Sequence, residues 1–203
     1  MQKSPNSKKS GRSLIVVGNI GQGGAAVLAG NYRDRINERF PAYLVREAVE
    51  AGNPDRLREE EARALEIIER FAGGKSAFLP ESGEERVYLV KAGKGGFLTA
   101  MYSLASESGA GFETDLRLVP IRQETIEICE LLEVNPYHLC CGGCLILIIR
   151  DGDLLVSELE KEGIPAVIIG YTNDKKSHIL MNDGTESHLN RPEPDELERL
   201  GLI

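Results

Sequence analysis

Apolar runs and amphipathic stretches alternate along the chain, and the two patterns predict strands and helices in turn. Four apolar runs have the length of buried strands: residues 14–17, 87–92, 144–150 and 165–172. Stretches with helical spacing, bounded mostly by glycine or proline, are residues 25–40, 42–52, 57–72, 97–108, 122–134 and 154–163. The order of these elements indicates an organised module of strands and helices.

Finer patterns assign faces to two elements in the middle of the chain. Residues 112–121 alternate well enough for a half-buried strand with inward positions at Phe112, Thr114, Leu116 and Leu118. Residues 122–134 predict an amphipathic helix with Ile126, Cys129 and Leu132 inward and Glu124, Glu127 and Glu130 outward.

The C-terminal third has the strand, helix and strand of a crossover packed on one face of a sheet. A shorter strand at residues 178–181 precedes Asn182, Asp183 and Gly184, which are typical of a hairpin turn. We therefore divide the chain into a disordered basic tail (residues 1–12), one folded domain (residues 13–191) and a proline-marked C-terminal extension with a short helix (residues 192–203).

The composition argues against several classes of function. The chain of 203 residues has a net charge of -8 and only 5% aromatic residues, which disfavours a nucleic-acid partner. No run approaches the ~20 apolar residues that span a bilayer, and the basic tail lacks the apolar stretch of a signal peptide. We therefore expect a cytoplasmic protein with neither a membrane nor a nucleic acid as its partner.

A glycine-rich turn joins a predicted strand to a predicted helix at Gly93, Lys94, Gly95 and Gly96. Backbone N–H groups at the start of a helix, the helix dipole and the nearby cations Lys91 and Lys94 together favour an anion. A turn whose glycines only allow close packing explains the same residues. Both interpretations stay open.

A second glycine-rich run, residues 21–26, follows the first strand and mimics the start of a dinucleotide-binding unit. Such a unit needs a second strand that ends in an acidic residue about 20 positions later, whereas residues 31–43 are charged and helical. The remaining interpretations are a tight turn that packs strand against helix, and contact with an anion or substrate.

Three of the four cysteines cluster at Cys140, Cys141 and Cys144, beside two glycines. A structural zinc site takes about four ligands, and the other thiol, Cys129, lies on a helix while the histidines are scattered. Structural packing is the favoured role of the cluster, with redox chemistry and metal binding as alternatives. We assign no metal site.

Several short motifs together resemble the C-terminal domain of the AIR synthase-related superfamily, over residues 14 to about 192. The matching segments are residues 17–21, 39–41, 95–100, 107–109, 119–125, 128–130, 135–137, 163–166 and 168–170. This superfamily includes aminoimidazole ribonucleotide synthase, thiamine-monophosphate kinase, selenophosphate synthetase and a hydrogenase maturation factor.

The resemblance implies an α+β fold with a mixed β-sheet covered by helices. It also implies phosphoryl transfer with ATP and Mg²⁺ as cofactors, held mainly by an N-terminal domain that forms the dimer. On this basis we assign cofactor contact to Gly93, Lys94, Gly95 and Gly96, and substrate contact to Asn19, Gly21, Gly23 and Lys91. No catalytic residue is assigned. At Lys91, Gly93 and Lys94 the relatives often carry Asp, Thr, Glu or Gly, so the local charge changes from acidic to basic.

Two hypotheses about function follow. The first is the substrate-side domain of an ATP-dependent enzyme that is inactive without an N-terminal ATP-binding domain. The second is a non-catalytic module that binds an anionic metabolite or associates with itself. The expected partner is accordingly a second copy of this chain or a separate N-terminal-type domain, and a phosphorylated small molecule is the candidate ligand.

Overall fold

The computed structural model describes residues 11–72 and 87–203, so most of the basic tail lies outside the described residues. The strands in the described part are β1 (Ser13–Val17), β2 (Tyr88–Ala92), β3 (Gly111–Asp115), β4 (Cys144–Ile149), β5 (Ala166–Asn173), β6 (His178–Asn182) and β7 (Thr185–His188). The helices there are α1 (Gln22–Asn31), α2 (Arg33–Arg39), α3 (Ala42–Ala51), α4 (Pro54–Phe71), α5 (Gly96–Ser108), α6 (Gln123–Leu132), α7 (Gly152–Lys161) and α8 (Glu196–Arg199).

The strands form one mixed sheet in the order β2-β4-β1-β5-β3-β6-β7. β3 and β6 are parallel neighbours, and β1 pairs antiparallel with both β4 and β5. β4 and β5 therefore run in the same direction on either side of β1, with α7 between them in the chain. This is the crossover that the sequence predicted. Together with the helices that cover the sheet, it confirms the expected α+β class.

The sheet separates two hydrophobic cores because successive side chains of a strand point to opposite faces. On one face, Val16 and its neighbours pack with Phe97 of α5. On the other face, Ile15 packs with residues of α4 and α7, including Ile68 and Leu159. A third core lies among helices at one side of the sheet and includes residues of α1, α3, α6 and α8.

The strand predicted over residues 112–121 ends early, and that part of the prediction is wrong. β3 stops at Asp115, and Leu116–Leu118 form a short 3-10 helix in which Leu118 is 48% exposed. The Asp115 carboxylate accepts a hydrogen bond from the Arg117 N–H at 3.0 Å. Such a local bond from an aspartate to the backbone turns the chain and competes with strand pairing.

The buried face of α6 also differs from the predicted one. Ile126 is 40% exposed, and five residues of this helix are buried: Glu124, Thr125, Ile128, Cys129 and Leu132. Glu124, predicted to face solvent, is 6% exposed and pairs with Arg122. The buried stripe includes Thr125 because its Cγ2 packs against Gly21 just before α1, 3.2 Å from where a Cβ on that glycine would lie. Hydrophobicity alone does not predict this contact.

Other expectations agree with the structure or differ in detail. The first predicted helix is divided into α1 and α2 around Tyr32. The β6–β7 hairpin is confirmed, with Asp183 and Gly184 both in the left-handed region at φ 46° and 78°. A short terminal helix, α8, follows the prolines as expected. Among the described residues, no helix combines the length and apolar character needed to cross a bilayer.

Candidate functional site

The first glycine turn, residues 93–96, connects β2 to α5 and packs against residues 137–141. Gly95 and Gly96 adopt φ values of 78° and 72°, which favour glycine. A Cβ on Gly96 would lie 2.6 Å from the Tyr137 carbonyl oxygen. The Gly93 carbonyl accepts hydrogen bonds from the N–H groups of Gly96 (3.1 Å) and Cys141 (3.0 Å). Close backbone packing is therefore one role of these glycines.

Two carboxylates of the chain itself occupy the anion-binding groups of this turn. The Gly95 N–H donates to Oδ2 of Asp195 at 2.7 Å. Lys94 Nζ lies 2.6 Å from Oε1 of Glu198. The hydrogen bond with Glu198 raises the pKa of Lys94, and the same bond lowers the pKa of Glu198. The turn thus has the chemistry predicted for an anion site, and its anions come from α8 and the residue before it.

The structure does not bring Lys91 and Lys94 together around one anion. Lys91 Nζ lies 2.7 Å from Oε1 of Glu61 on α4. Leu89, two positions earlier in β2, belongs to the core shared with α4 and α7, so Lys91 is on that face of the sheet. Lys94 instead pairs with Glu198 next to α5.

The second glycine turn, which precedes and begins α1, contacts the same segment as the first. The Gly21 N–H donates to Cys141 Sγ at 3.2 Å, and the Gly24 N–H donates to the Cys140 carbonyl at 2.8 Å. A Cβ on Gly23 would lie 3.0 Å from the Cys141 carbonyl oxygen. Asn19 is half-buried in this turn. Both glycine turns therefore converge on residues 137–141, a convergence that the sequence did not signal because the contacts are long-range.

The cysteines at this convergence are free thiols. Burial raises the pKa of Cys140 to about 11. A hydrogen bond with the Cys141 thiol, together with burial, holds the pKa of Cys144 well above its usual value. At Cys140 and Cys144 the thiol rather than the thiolate therefore prevails at neutral pH, and the thiolate is the form that attacks disulfides and binds metals. In residues 11–72 and 87–203, no group of three or more histidine, cysteine or acidic side chains is placed to hold a metal ion.

A cavity of about 370 Å³ lies beside the first glycine turn, between the turn at residues 135–138, β6 and residues 187–193. His138 forms part of its wall, with Nε2 3.7 Å from Oε2 of Glu193. Within the described part of the chain, the buried Nδ1 of His138 has no hydrogen-bond partner. Sequence reasoning gave His138 no role. The one available signal was its place next to residues 135–137, which resemble the family.

The mixed sheet and the two glycine turns define an α+β domain built around close backbone approaches. Residues 89–182 match the family described as AIR synthase related protein, C-terminal domain. Residues 89–182 thus carry the C-terminal domain of the AIR synthase-related superfamily, and the resemblance indicated by the motifs is confirmed.

Relatives and solved structures place this domain in larger proteins. Carbamoyl dehydratase HypE of Rhizobium leguminosarum bv. viciae is 23% identical over 171 residues, which are 82% of this chain and 42% of that protein. The hydrogenase maturation protein HypE in complex with ATP has a TM-score of 0.63 and 18% identity, over 95% of this chain and 54% of that one. AaThiL complexed with AMPPCP and TMP has a TM-score of 0.52 and 17% identity, over 94% of this chain and 52% of that one.

The chain spans less than half the length of the curated relatives it matches. The solved structures share its fold over about half of their own length. These matches identify the fold and the domain of this chain, whereas the reactions of the complete relatives belong to those proteins.

Proposed function

We propose that this chain is the substrate-side domain of an ATP-dependent enzyme of the AIR synthase kind. The observation that carries the proposal is the match of residues 89–182 to the C-terminal domain of that family. A HypE structure that holds ATP supports it, because that structure resembles 95% of this chain and has a further portion that this chain does not match.

The chemistry of the first glycine turn fits a phosphoryl group. Gly95 offers a backbone N–H in the left-handed region and Lys94 offers a flexible cation, and both already bind carboxylate oxygens. Backbone N–H groups and lysine are the groups that cradle phosphates in nucleotide-binding loops. The described residues offer no comparable cluster for Mg²⁺. We therefore assign Mg²⁺ and most of the ATP contacts to an N-terminal-type domain.

Phosphoryl transfer depends mainly on positioning and on neutralisation of charge, with little covalent chemistry by the protein. In this proposal ATP supplies the transferred group. The chain positions the substrate through the first glycine turn and the adjoining cavity, with Lys94 neutralising charge. Asn19, Gly21, Gly23 and Lys91 remain candidates for substrate contact. The geometry favours the region of Lys94 over Lys91, because Lys91 is engaged with Glu61 on the other face of the sheet.

A second candidate is a non-catalytic module that binds an anionic metabolite or associates with a second copy of the chain. The observation that favours this candidate is the hydrogen bond from the Gly95 N–H to the buried Asp195 carboxylate. Through this bond the turn binds an anionic group without any other domain. In this case a phosphorylated ligand would bind the isolated chain, and no ATP hydrolysis would follow.

Two measurements distinguish the enzyme domain from the non-catalytic module. They are calorimetric titration of ATP–Mg²⁺ into the purified chain and the mass of the chain in solution, measured by light scattering. The enzyme proposal expects weak or no binding by the chain alone and ATP hydrolysis once an N-terminal-type domain is added. Lys94→Met is expected to lower that hydrolysis, whereas the matched control Lys175→Met, on an exposed loop, is expected to leave it unchanged. Hydrolysis that stays at zero with the added domain, together with phosphate binding by the chain alone, would favour the non-catalytic module.

A further inference from the structure

The C-terminal strap, residues 192–202, lies across the first glycine turn and the neighbouring turn at residues 133–138. Two of its residues are deeply buried: Asp195 is 1% exposed and Leu197 is 2% exposed. Leu197 packs in the third core, whereas most of the strap is exposed or half-buried. The strap is thus held by the buried Leu197, by Leu200 and Leu202 packed against the same core, and by polar contacts.

The polar contacts place two of the strap's four acidic groups, Asp195 and Glu198, on the anion-binding groups of the turn. Asp195 uses Oδ2 for the Gly95 N–H at 2.7 Å and Oδ1 for the Leu197 N–H at 2.9 Å. Three residues further on, Glu198 reaches Lys94 at 2.6 Å. Asp195 is therefore a charged side chain that is almost fully buried against the groups expected to bind an external anion.

Further bonds of the strap end on backbone atoms of the neighbouring turn. The Glu196 carboxylate accepts from the Asn135 N–H at 3.3 Å, and the Glu196 N–H donates to the His138 carbonyl at 3.3 Å. The Arg199 guanidinium donates to the Glu133 carbonyl at 3.0 Å. Release of the strap would withdraw Leu197, Leu200 and Leu202 from the third core. The two cores on the faces of the sheet include no residue of the strap.

We propose that the C-terminal strap is an internal competitor for the anion site. Asp195 and Glu198 occupy the Gly95 N–H and Lys94, so an external phosphoryl group binds there only when the strap is displaced. The inference rests on the proposed function in taking the first glycine turn as the anion site. It adds a regulatory contact supplied by the chain itself.

Displacement of the strap also affects the cavity next to His138 and the thiol of Cys140. Residues 189–193, which lead into the strap, line the cavity next to His138, so the cavity opens when the strap leaves. The Cys140 thiol also lies close enough to Asp195 and to Lys94 for both charges to affect it. Burial and Asp195 raise the pKa of Cys140, and Lys94 lowers it. Loss of the Asp195 charge on strap release is therefore expected to make the Cys140 thiol more reactive toward alkylation.

The test compares pyrophosphate binding by the full-length chain and by the double variant Asp195→Asn, Glu198→Gln. Asparagine keeps one of the two oxygens, which can accept from either the Gly95 or the Leu197 N–H group but not from both. Both substitutions preserve side-chain size, so the fold is expected to persist, as circular dichroism would verify. The control Glu186→Gln removes one charge from β7, where all residues are exposed. If the strap is docked in about 90% of molecules, releasing it raises the apparent affinity roughly tenfold. We expect that gain in the double variant and no gain in the control.

Alkylation of Cys140 by iodoacetamide, followed by peptide mass spectrometry, gives an independent readout. The rate is expected to rise in the double variant, and to rise in the wild-type chain when pyrophosphate displaces the strap. Suppose that wild type and the double variant bind pyrophosphate equally and that Lys94→Ala loses binding. That result would overturn the proposal that the strap competes for the site, and it would leave the anion site in place. Absence of binding in every folded variant would overturn both the competitor and the anion site.

Discussion

Gly96, in the first glycine turn, lies where one stretch of backbone closely approaches another. It has a positive φ of 72°, and its Cα faces the backbone of residues 137–138, so that an added methyl group would lie only 2.6 Å from the Tyr137 carbonyl oxygen. A side chain here meets backbone atoms, which cannot rotate away. Gly93 differs, because no atom lies within 4 Å of its Cβ position.

Gly96→Ala is therefore expected to lower the free energy of unfolding by about 2–4 kcal/mol, from backbone strain and the steric conflict combined. Urea unfolding followed by circular dichroism measures the change. The matched control, Gly93→Ala, is expected to stay within about 1 kcal/mol of wild type. Equal losses in the two variants would mean that close approach at Gly96 is not what requires glycine.

Individual residues also mark the limit of sequence reasoning. The glycines of both turns were identifiable because glycine is favoured where backbone approaches backbone. The partners of Lys91 and Lys94 were not, because Glu61 and Glu198 are distant in the chain and two exposed lysines have no pattern that distinguishes them.

At the scale of elements, α8 is the shortest α-helix of the described residues and depends on tertiary contacts. A helix of four residues is too short to be stable alone. Asp195 and Glu198 form a capping box at its start, and Leu197 is buried in the third core with residues of α1, α3 and α6. The helix therefore forms because its anchor is buried.

Leu197→Ala is expected to weaken strap docking by about 2–4 kcal/mol, in the range for truncation of a buried leucine. Hydrogen exchange of the strap amides measures this directly, and the amides should exchange faster in the variant. Ile203→Ala, at a position 60% exposed, is the control and should change little. Unchanged exchange in Leu197→Ala would show that the polar contacts alone hold the strap.

Helices and strands were predicted well where the hydrophobic residues recur at regular spacing and a turn residue marks the end of the element. Residues 144–150 and 178–184 gave a strand and a hairpin because β-branched runs and an Asp-Gly turn act locally. β3 and α6 were predicted less well. A side-chain bond at Asp115 ended the strand, and packing around Thr125 rotated the buried stripe of the helix.

At the scale of the whole molecule, β1 and β4 form the centre of the fold. Every residue of these two strands is buried, whereas every residue of the edge strand β7 is exposed. β1 also pairs on both sides, with β4 and β5. Strands in such a position open only when the whole domain unfolds.

Native-state hydrogen exchange is therefore expected to be slowest for amides of β1 and β4 and to approach the global unfolding free energy there. Amides of β7 should exchange through local opening, faster by orders of magnitude. NMR or mass spectrometry at several denaturant concentrations resolves the two classes. Similar protection in β7 and β4 would indicate that β7 is covered, as it would be by a partner or a second copy of the chain.

The sequence by itself determined the order of the elements, the glycine turns, the hairpin and the family, because these depend on local periodicity, on backbone freedom and on short motifs. The tertiary structure alone decided that both glycine turns meet at residues 137–141 and that the anion-binding groups of Gly95 and Lys94 hold Asp195 and Glu198. These contacts join residues far apart in the chain, such as 100 positions between Gly95 and Asp195 and 120 between Gly21 and Cys141. Contacts at that distance follow from how the sheet and the cores assemble, and no local pattern encodes them.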